Sequence, residues 1–183
     1  MHADKNVKLF DANPKIVAVW DWLIHATSTD VRALPDLQTG QSLKDFVTLT
    51  DAERWLIGFC INPASTVPKV TASKRSAWVR YKAKIAEDVS RVKHWTVALL
   101  SWDAIPNERA TWYIDPPYQA AGKYYFGYNG ICFDLLGLWS KSRTGQVIVC
   151  ENEGADWLPF KPLVSQQGMS KKQIEVIWLG TSE

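Results

Sequence analysis

Four residues, Asp115-Pro116-Pro117-Tyr118, stand directly after the apolar run Thr111-Trp112-Tyr113-Ile114. An apolar, β-rich run stopped by an acid and two prolines reads as a buried strand at its carboxyl end. In open α/β sheets that is where ligands bind. Proline cannot donate to a sheet ladder, so Pro116 and Pro117 lie outside the strand. The segment is then a rigid loop. It presents a carboxylate, backbone carbonyls free of helical bonding, and an aromatic ring. This set suits a flat base that bears an amine. Average residue usage gives the tetrapeptide by chance in roughly one chain of this length in a thousand.

Two further acids follow apolar strands. Asp11 ends Val7-Lys8-Leu9-Phe10, and Asp103 follows Trp95-Thr96-Val97-Ala98-Leu99-Leu100. In one parallel sheet the carboxylates of Asp11, Asp103 and Asp115 would gather along one edge. Aspartate also caps helices and ends strands, so for Asp11 capping and ligand binding stand level. For Asp103 the bland reading weighs more, because Ser101-Trp102-Asp103 carries no fixed signature. A basic stretch supplies Lys69, Lys74, Arg75, Arg80 and Lys82, which could pair with phosphates or form a solvated helix face. Lys123, Tyr124 and Tyr125 follow the tetrapeptide closely, where contact with a base or phosphate and a solvated loop are equally open. His2, His25 and His94 are isolated and read as surface or satisfied residues. No Cys/His cluster points to a metal.

Asp-Pro-Pro-Tyr after a strand resembles the catalytic motif of the S-adenosylmethionine-dependent amino-methyltransferases of DNA. The Tyr form is most similar to the Dam-like adenine methylases of phages and prophages. The likeness extends through Ala110–Ile114 and through Gly145-Gln146-Val147-Ile148-Val149-Cys150-Glu151-Asn152-Glu153-Gly154-Ala155-Asp156-Trp157-Leu158-Pro159-Phe160. It implies methyl transfer to adenine N6 in DNA, with S-adenosylmethionine as cofactor. Asp115, Pro116, Pro117 and Tyr118 would be catalytic. Asp11 would meet the cofactor's ribose and Asp103 its adenine amine. Lys69, Lys74, Arg75, Arg80, Lys82, Lys123 and Tyr124 would meet DNA, with residues 58–92 as a target-recognition insertion. No Phe-x-Gly-x-Gly-type loop precedes Asp11, so the resemblance starts near the family's second strand and implies an N-terminally truncated domain whose turnover is weak or absent, or that needs the missing part from another polypeptide. The alternative is an inactive methyltransferase-like protein that binds DNA or a host protein, as in phage counter-defence.

The elements that must position these residues follow from the pattern. Asn13-Pro14 opens a helix, with Asn as cap and Pro at the first position. Thr50 and Glu53 form a capping box before Trp55, Leu56 and Ile57. Trp78–Val92 and Phe133–Ser142 read as helices, and 146–150 and 174–178 as buried strands. Asn62–Ser76 reads as a loop. Strands alternating with helices predict a single α/β domain over 1–183 with a mostly parallel sheet; the resemblance implies that this sheet is Rossmann-like, with a small helical and loop insertion.

Composition agrees with a folded protein: 183 residues, 46% hydrophobic and 22% charged. A net charge of +2 requires any nucleic-acid contact to come from a local patch. The three cysteines form neither a metal spacing nor a disulfide framework, which fits a reducing cytoplasm; the resemblance implies that of a bacterial host, with a phage or prophage gene. No apolar stretch is long enough to span a membrane, and the first six residues do not read as a signal peptide. The ten tryptophans read mainly as core, with one or two candidates for stacking on bases.

Overall fold

Capping chemistry at the start of the chain sets the first helix. Asn13 takes the N-cap of α1 (Pro14–His25), its side chain accepting from Lys15 N at 3.0 Å. Thr27 and Asp30 close a capping box on α2 (Ser28–Ala33). Thr50 and Glu53 do the same for α3 (Asp51–Ile61), with Thr50 N donating to Glu53 Oε2 at 2.7 Å. The computed structural model describes residues 5–61, 66–167 and 172–182. It is a mixed α/β protein that divides into two compact units, Met1–Ser101 and Trp102–Glu183.

In the first unit, β1 (Lys8–Asp11) pairs in parallel with β2 (Thr96–Leu99), Asp11 facing Leu99 in register. Helices α1, α2, α3 and α4 (Trp78–Asp88) supply the core. Ile57, Ile61 and Trp78 are wholly buried there beside Val19, Leu43 and Leu56. Each aliphatic side chain of this kind contributes about 1.5–3 kcal/mol on burial. Trp78 can be fully buried because its indole N–H donates to Pro35 O at 2.8 Å. Residues 58–92 provide Ile61, Ala72, Trp78, Ala86 and Val89 to the buried interior. The expected loop 62–76 is fastened where it is described. Leu43 N donates to Val70 O, Ala72 N to Gln41 O, and Ser42 bridges Thr71. Asn62–Ser65 lie outside the described residues, as does His2.

In the second unit, β3 (Ala110–Ile114) leads through α5 (Phe133–Lys141) to β4 (Gly145–Asn152), a parallel neighbour with Trp112 facing Val147 and Ile114 facing Val149. The full order is β3-β4-β6-β5, with β5 at Lys161–Gln167 and β6 at Lys172–Ser182. The parallel arrangement expected from sequence holds for β1–β2 and β3–β4, whereas β6 runs antiparallel to both β4 and β5. The strand expected at 174–178 is therefore one arm of a hairpin, and β5 is an additional strand. Its text, Lys-Pro-Leu-Val-Ser-Gln-Gln, is too polar to read as a buried strand. The acids Asp11 and Asp115 close strands of two separate sheets, so the expected single row of carboxylates is not formed on one sheet.

Strand alternation places Trp112, Val147, Val149 and Glu151 on the face that packs with Leu136 of α5, Trp157 and Leu158. None of the ten tryptophans is exposed. Their apolar bulk builds core, and the base-stacking role considered for one or two of them finds no exposed indole. No helix among the described residues is long and apolar enough to cross a membrane.

Candidate active site at the carboxyl end of β3

Trp112 anchors β3 from beneath. It is buried, and its indole N–H reaches Thr144 O at 3.1 Å and Glu108 O at 3.3 Å. The chain leaves the ladder after Ile114, and Asp115-Pro116-Pro117-Tyr118 follows at the carboxyl end of the strand. The turn beyond it is tight. Gly122 N donates to Tyr118 O at 2.6 Å, and a Cβ at Gly122 would stand 2.5 Å from the Pro117 carbonyl carbon. Only glycine lets the returning chain lie against Pro117.

Asp115 reaches solvent, yet its carboxyl sits above the ordinary carboxylate range. Desolvation by its surroundings is the main cause, and repulsion from Glu175 and Glu151 adds to it. A hydrogen bond with the Tyr118 hydroxyl works in the opposite direction. Burial and the neighbouring Asp115 charge hold the Tyr118 phenol above its usual value, so it remains a protonated donor. Beside this pair, Cys150 Sγ lies 3.3 Å from Tyr113 Oη. The Cys150 contact, with burial, pushes the Tyr113 hydroxyl up to about 12. Burial raises the Cys150 thiol, and Tyr113 partly offsets that.

Beneath the loop lies Glu151 of β4, wholly buried. Its Oε2 accepts from Gln119 N at 2.9 Å and from Trp157 Nε1 at 3.1 Å, and its Oε1 accepts from Asn152 N at 2.9 Å. A buried carboxylate is tolerated when N–H donors satisfy it. Gln119, the residue after the tetrapeptide, is held elsewhere too. Its side chain exchanges hydrogen bonds with Asp156, and its carbonyl accepts from the Tyr128 hydroxyl at 2.7 Å.

The structure thus brings Asp115 and Tyr118 together, with Tyr113, Cys150, Glu151 and Glu175 around them. Lys123 and Tyr124 lie in the 3-10 turn Gly122–Tyr124, the ammonium 5.2 Å from the tyrosine ring centre, and Tyr124 is 72% exposed. Asp103 is an exposed residue of the 3-10 turn Trp102–Ala104. In the first unit, Asp11 Oδ1 accepts from Asn13 N at 2.7 Å. Burial lifts its carboxyl above the usual range, and that amide moderates the shift. Lys69, Lys74, Arg75 and Arg80 are exposed. Lys82 is not offered in the same way. Its ammonium pairs with Asp36 and donates to Leu34 O at 2.9 Å, fixing the end of α2. Among the described residues no group of His, Cys, Asp or Glu side chains is arranged to hold a metal ion.

Sequence reasoning did not single out Glu151, Gln119, Tyr128 or Trp157. The one available signal was an acid placed after the apolar run Val147–Cys150, six residues before a tryptophan. No protein-family model matches the chain, and no curated protein matches it.

Proposed function

We propose that this protein transfers a methyl group from S-adenosylmethionine to the N6 amine of adenine in DNA. The observation that carries the reading is the Asp115 carboxylate, with Tyr118 beside it, on a proline-stiffened loop at the carboxyl end of a strand in a parallel pair. The likeness of this tetrapeptide and its flanks to the DNA amino-methyltransferases supports the same reading.

The adenine amine is a poor nucleophile because its lone pair is delocalised into the ring. Asp115 accepts one amine proton by hydrogen bond and the Pro116 carbonyl accepts the other. The nitrogen is drawn toward a tetrahedral shape, and its lone pair turns out of the ring plane. The raised basicity of Asp115 makes it a stronger acceptor than an ordinary surface aspartate. Tyr118 stacks on the base, which leaves the duplex to reach the loop. When bound, S-adenosylmethionine supplies the electrophilic methyl group. The amine nitrogen would take the methyl group as the methyl–sulfur bond breaks, the electron pair staying on sulfur, and the amine proton would pass to Asp115 and then to water. Placement and fixed electrostatics supply most of the rate.

Asp11 is the proposed contact for the ribose hydroxyls of the cofactor. One carboxylate oxygen is engaged by Asn13 N, and the other is left to accept from hydroxyl groups. Asp103, exposed in its turn, is the proposed acceptor for an adenine amine. Lys69, Lys74, Arg75 and Arg80 are the proposed phosphate contacts. The direct test is transfer of a labelled methyl group into unmethylated DNA, followed by mass spectrometry of the nucleosides.

A further inference from the structure

Glu151 makes no contact with solvent and carries no opposite charge among its hydrogen-bond partners. Its three partners are all N–H donors, and they come from three places: the loop after β3, the end of β4 itself, and Trp157 in the segment that follows. Burying a carboxylate is costly, and packing alone would be served by an apolar residue at this position. The contact that distinguishes it is the one to Gln119 N, which follows closely on the two prolines. Pro116 and Pro117 have no N–H, so this amide is an early point at which the loop can be tied to the sheet. Gln119 then passes the constraint on. Its carbonyl holds Tyr128, and its side chain holds Asp156.

We infer that Glu151 is a positioning residue for the Asp115–Tyr118 loop, acting through the Gln119 backbone. Its carboxylate fixes the exit of the loop against β4, and through Gln119 and Tyr128 it links that loop to residues 122–130. The catalytic consequence rests on the methyl-transfer reading above, whereas the structural consequence does not. A second effect follows from charge. The groups facing Asp115 are Tyr118 on its own loop, Tyr113 of β3, Cys150 and Glu151 of β4, and Glu175 of β6. Of these, Glu175 and Glu151 are the groups whose charge raises the Asp115 carboxyl, so removing the Glu151 charge lowers the midpoint of Asp115.

The test compares Glu151→Gln with Trp157→Phe in the full chain. Glu151→Gln keeps shape and removes the charge and one acceptor oxygen. Trp157→Phe removes a different donor and leaves the Gln119 tie in place. Amide exchange at Gln119 and the carbon-13 titration of the Asp115 carboxyl are read by NMR, without any need for activity. Glu151→Gln is expected to speed Gln119 exchange at least tenfold and to move the Asp115 midpoint down, while Trp157→Phe does neither. In the methyl-transfer assay Glu151→Gln should lower kcat at least tenfold, with KM for S-adenosylmethionine changed less than twofold. Unchanged Gln119 protection in Glu151→Gln overturns the inference, and so does an equal effect of Trp157→Phe on that amide. If both NMR effects appear and wild-type protein transfers no methyl group, the positioning role stands and the methyl-transfer reading falls.

Discussion

Cys150 Sγ and Tyr113 Oη meet at 3.3 Å on the face of the sheet opposite to α5, at the strand ends that carry the Asp115 loop. The contact holds the Tyr113 hydroxyl protonated, whereas the Cys150 thiol is raised by burial and partly lowered by Tyr113. Cys150 is half-buried with a raised thiol, Cys60 is pushed up to about 11 by burial, and Cys132 is exposed. Alkylation at pH 8, followed by peptide mass spectrometry, should therefore modify Cys132 fastest and Cys60 slowest. Tyr113→Phe removes the contact that lowers the Cys150 thiol, so labelling of Cys150 should slow a few-fold. Faster labelling in that variant would mean that Tyr113 acts only as a shield.

Asp115 gives a pH-dependent stability with a defined sign. Its folded-state carboxyl lies above the ordinary value, so folding favours the protonated form. The stability this contributes is complete below the ordinary carboxylate range and is lost as pH rises through the raised value. Asp115→Asn fixes the neutral state and should raise the melting temperature at pH 7, with little change at pH 3. Calorimetry at the two pH values checks this. A lower melting temperature for the variant at pH 7 would show that the ionised carboxylate is net stabilising.

The start of β4 depends on one backbone conformation. Gly145 has φ +100°, and a Cβ there would collide with the Ala110 carbonyl across the parallel pair. Gly145→Ala should cost at least ~2 kcal/mol, from left-handed strain of about 1–2 kcal/mol and displacement of β3 at the start of the pair. That corresponds to a fall of about 8 °C or more in the melting temperature of a unit this size. Gly154→Ala is the control, because φ is +96° there and nothing crowds the Cβ position. Only the strain should count against it.

Much of the local structure was legible because it rests on chemistry close in sequence. Asn13-Pro14 and Thr50-Asp51-Ala52-Glu53 announce α1 and α3 by their caps, and both caps form. The α2 cap uses Asp30 instead of the Glu or Gln of the usual box, and the helix is only six residues long, so no period marks it. The β5–β6 hairpin escaped notice for a tertiary reason: β6 finds its partners in β4 and β5, not through its own pattern. At the site, the strand and the acid before the prolines were readable. Glu151 was not, because glutamate is seldom wholly buried and its three donors come together only in the folded chain.

The exposed cations of the first unit predict salt-dependent DNA binding. Lys74 and Arg75 stand at the turn before Ser76, where Arg75 N is tied to Ser73 Oγ at 3.2 Å and both side chains face water. Replacing both with Glu should weaken binding to all sequences alike. The slope of log affinity against log salt should flatten by about one for each phosphate no longer neutralised. Lys82→Gln, which breaks the Asp36 pair, should act on thermal stability instead. An unchanged salt slope in the double variant would remove residues 74 and 75 from the DNA surface.

The most direct measurement is labelled methyl transfer into unmethylated DNA by wild-type protein, Asp115→Ala and Tyr118→Ala, with the products resolved as nucleosides. The wild type should yield N6-methyladenine. Asp115→Ala should abolish transfer, because the amine loses its acceptor, while circular dichroism shows the fold retained. Tyr118→Ala should reduce transfer about tenfold or more, in line with roughly 1–3 kcal/mol for stacking one base. N4-methylcytosine as the product would contradict the choice of base. Wild-type protein that binds S-adenosylmethionine and DNA but forms no methylated base, or full activity in Asp115→Ala, would contradict the central role of the Asp115 carboxylate.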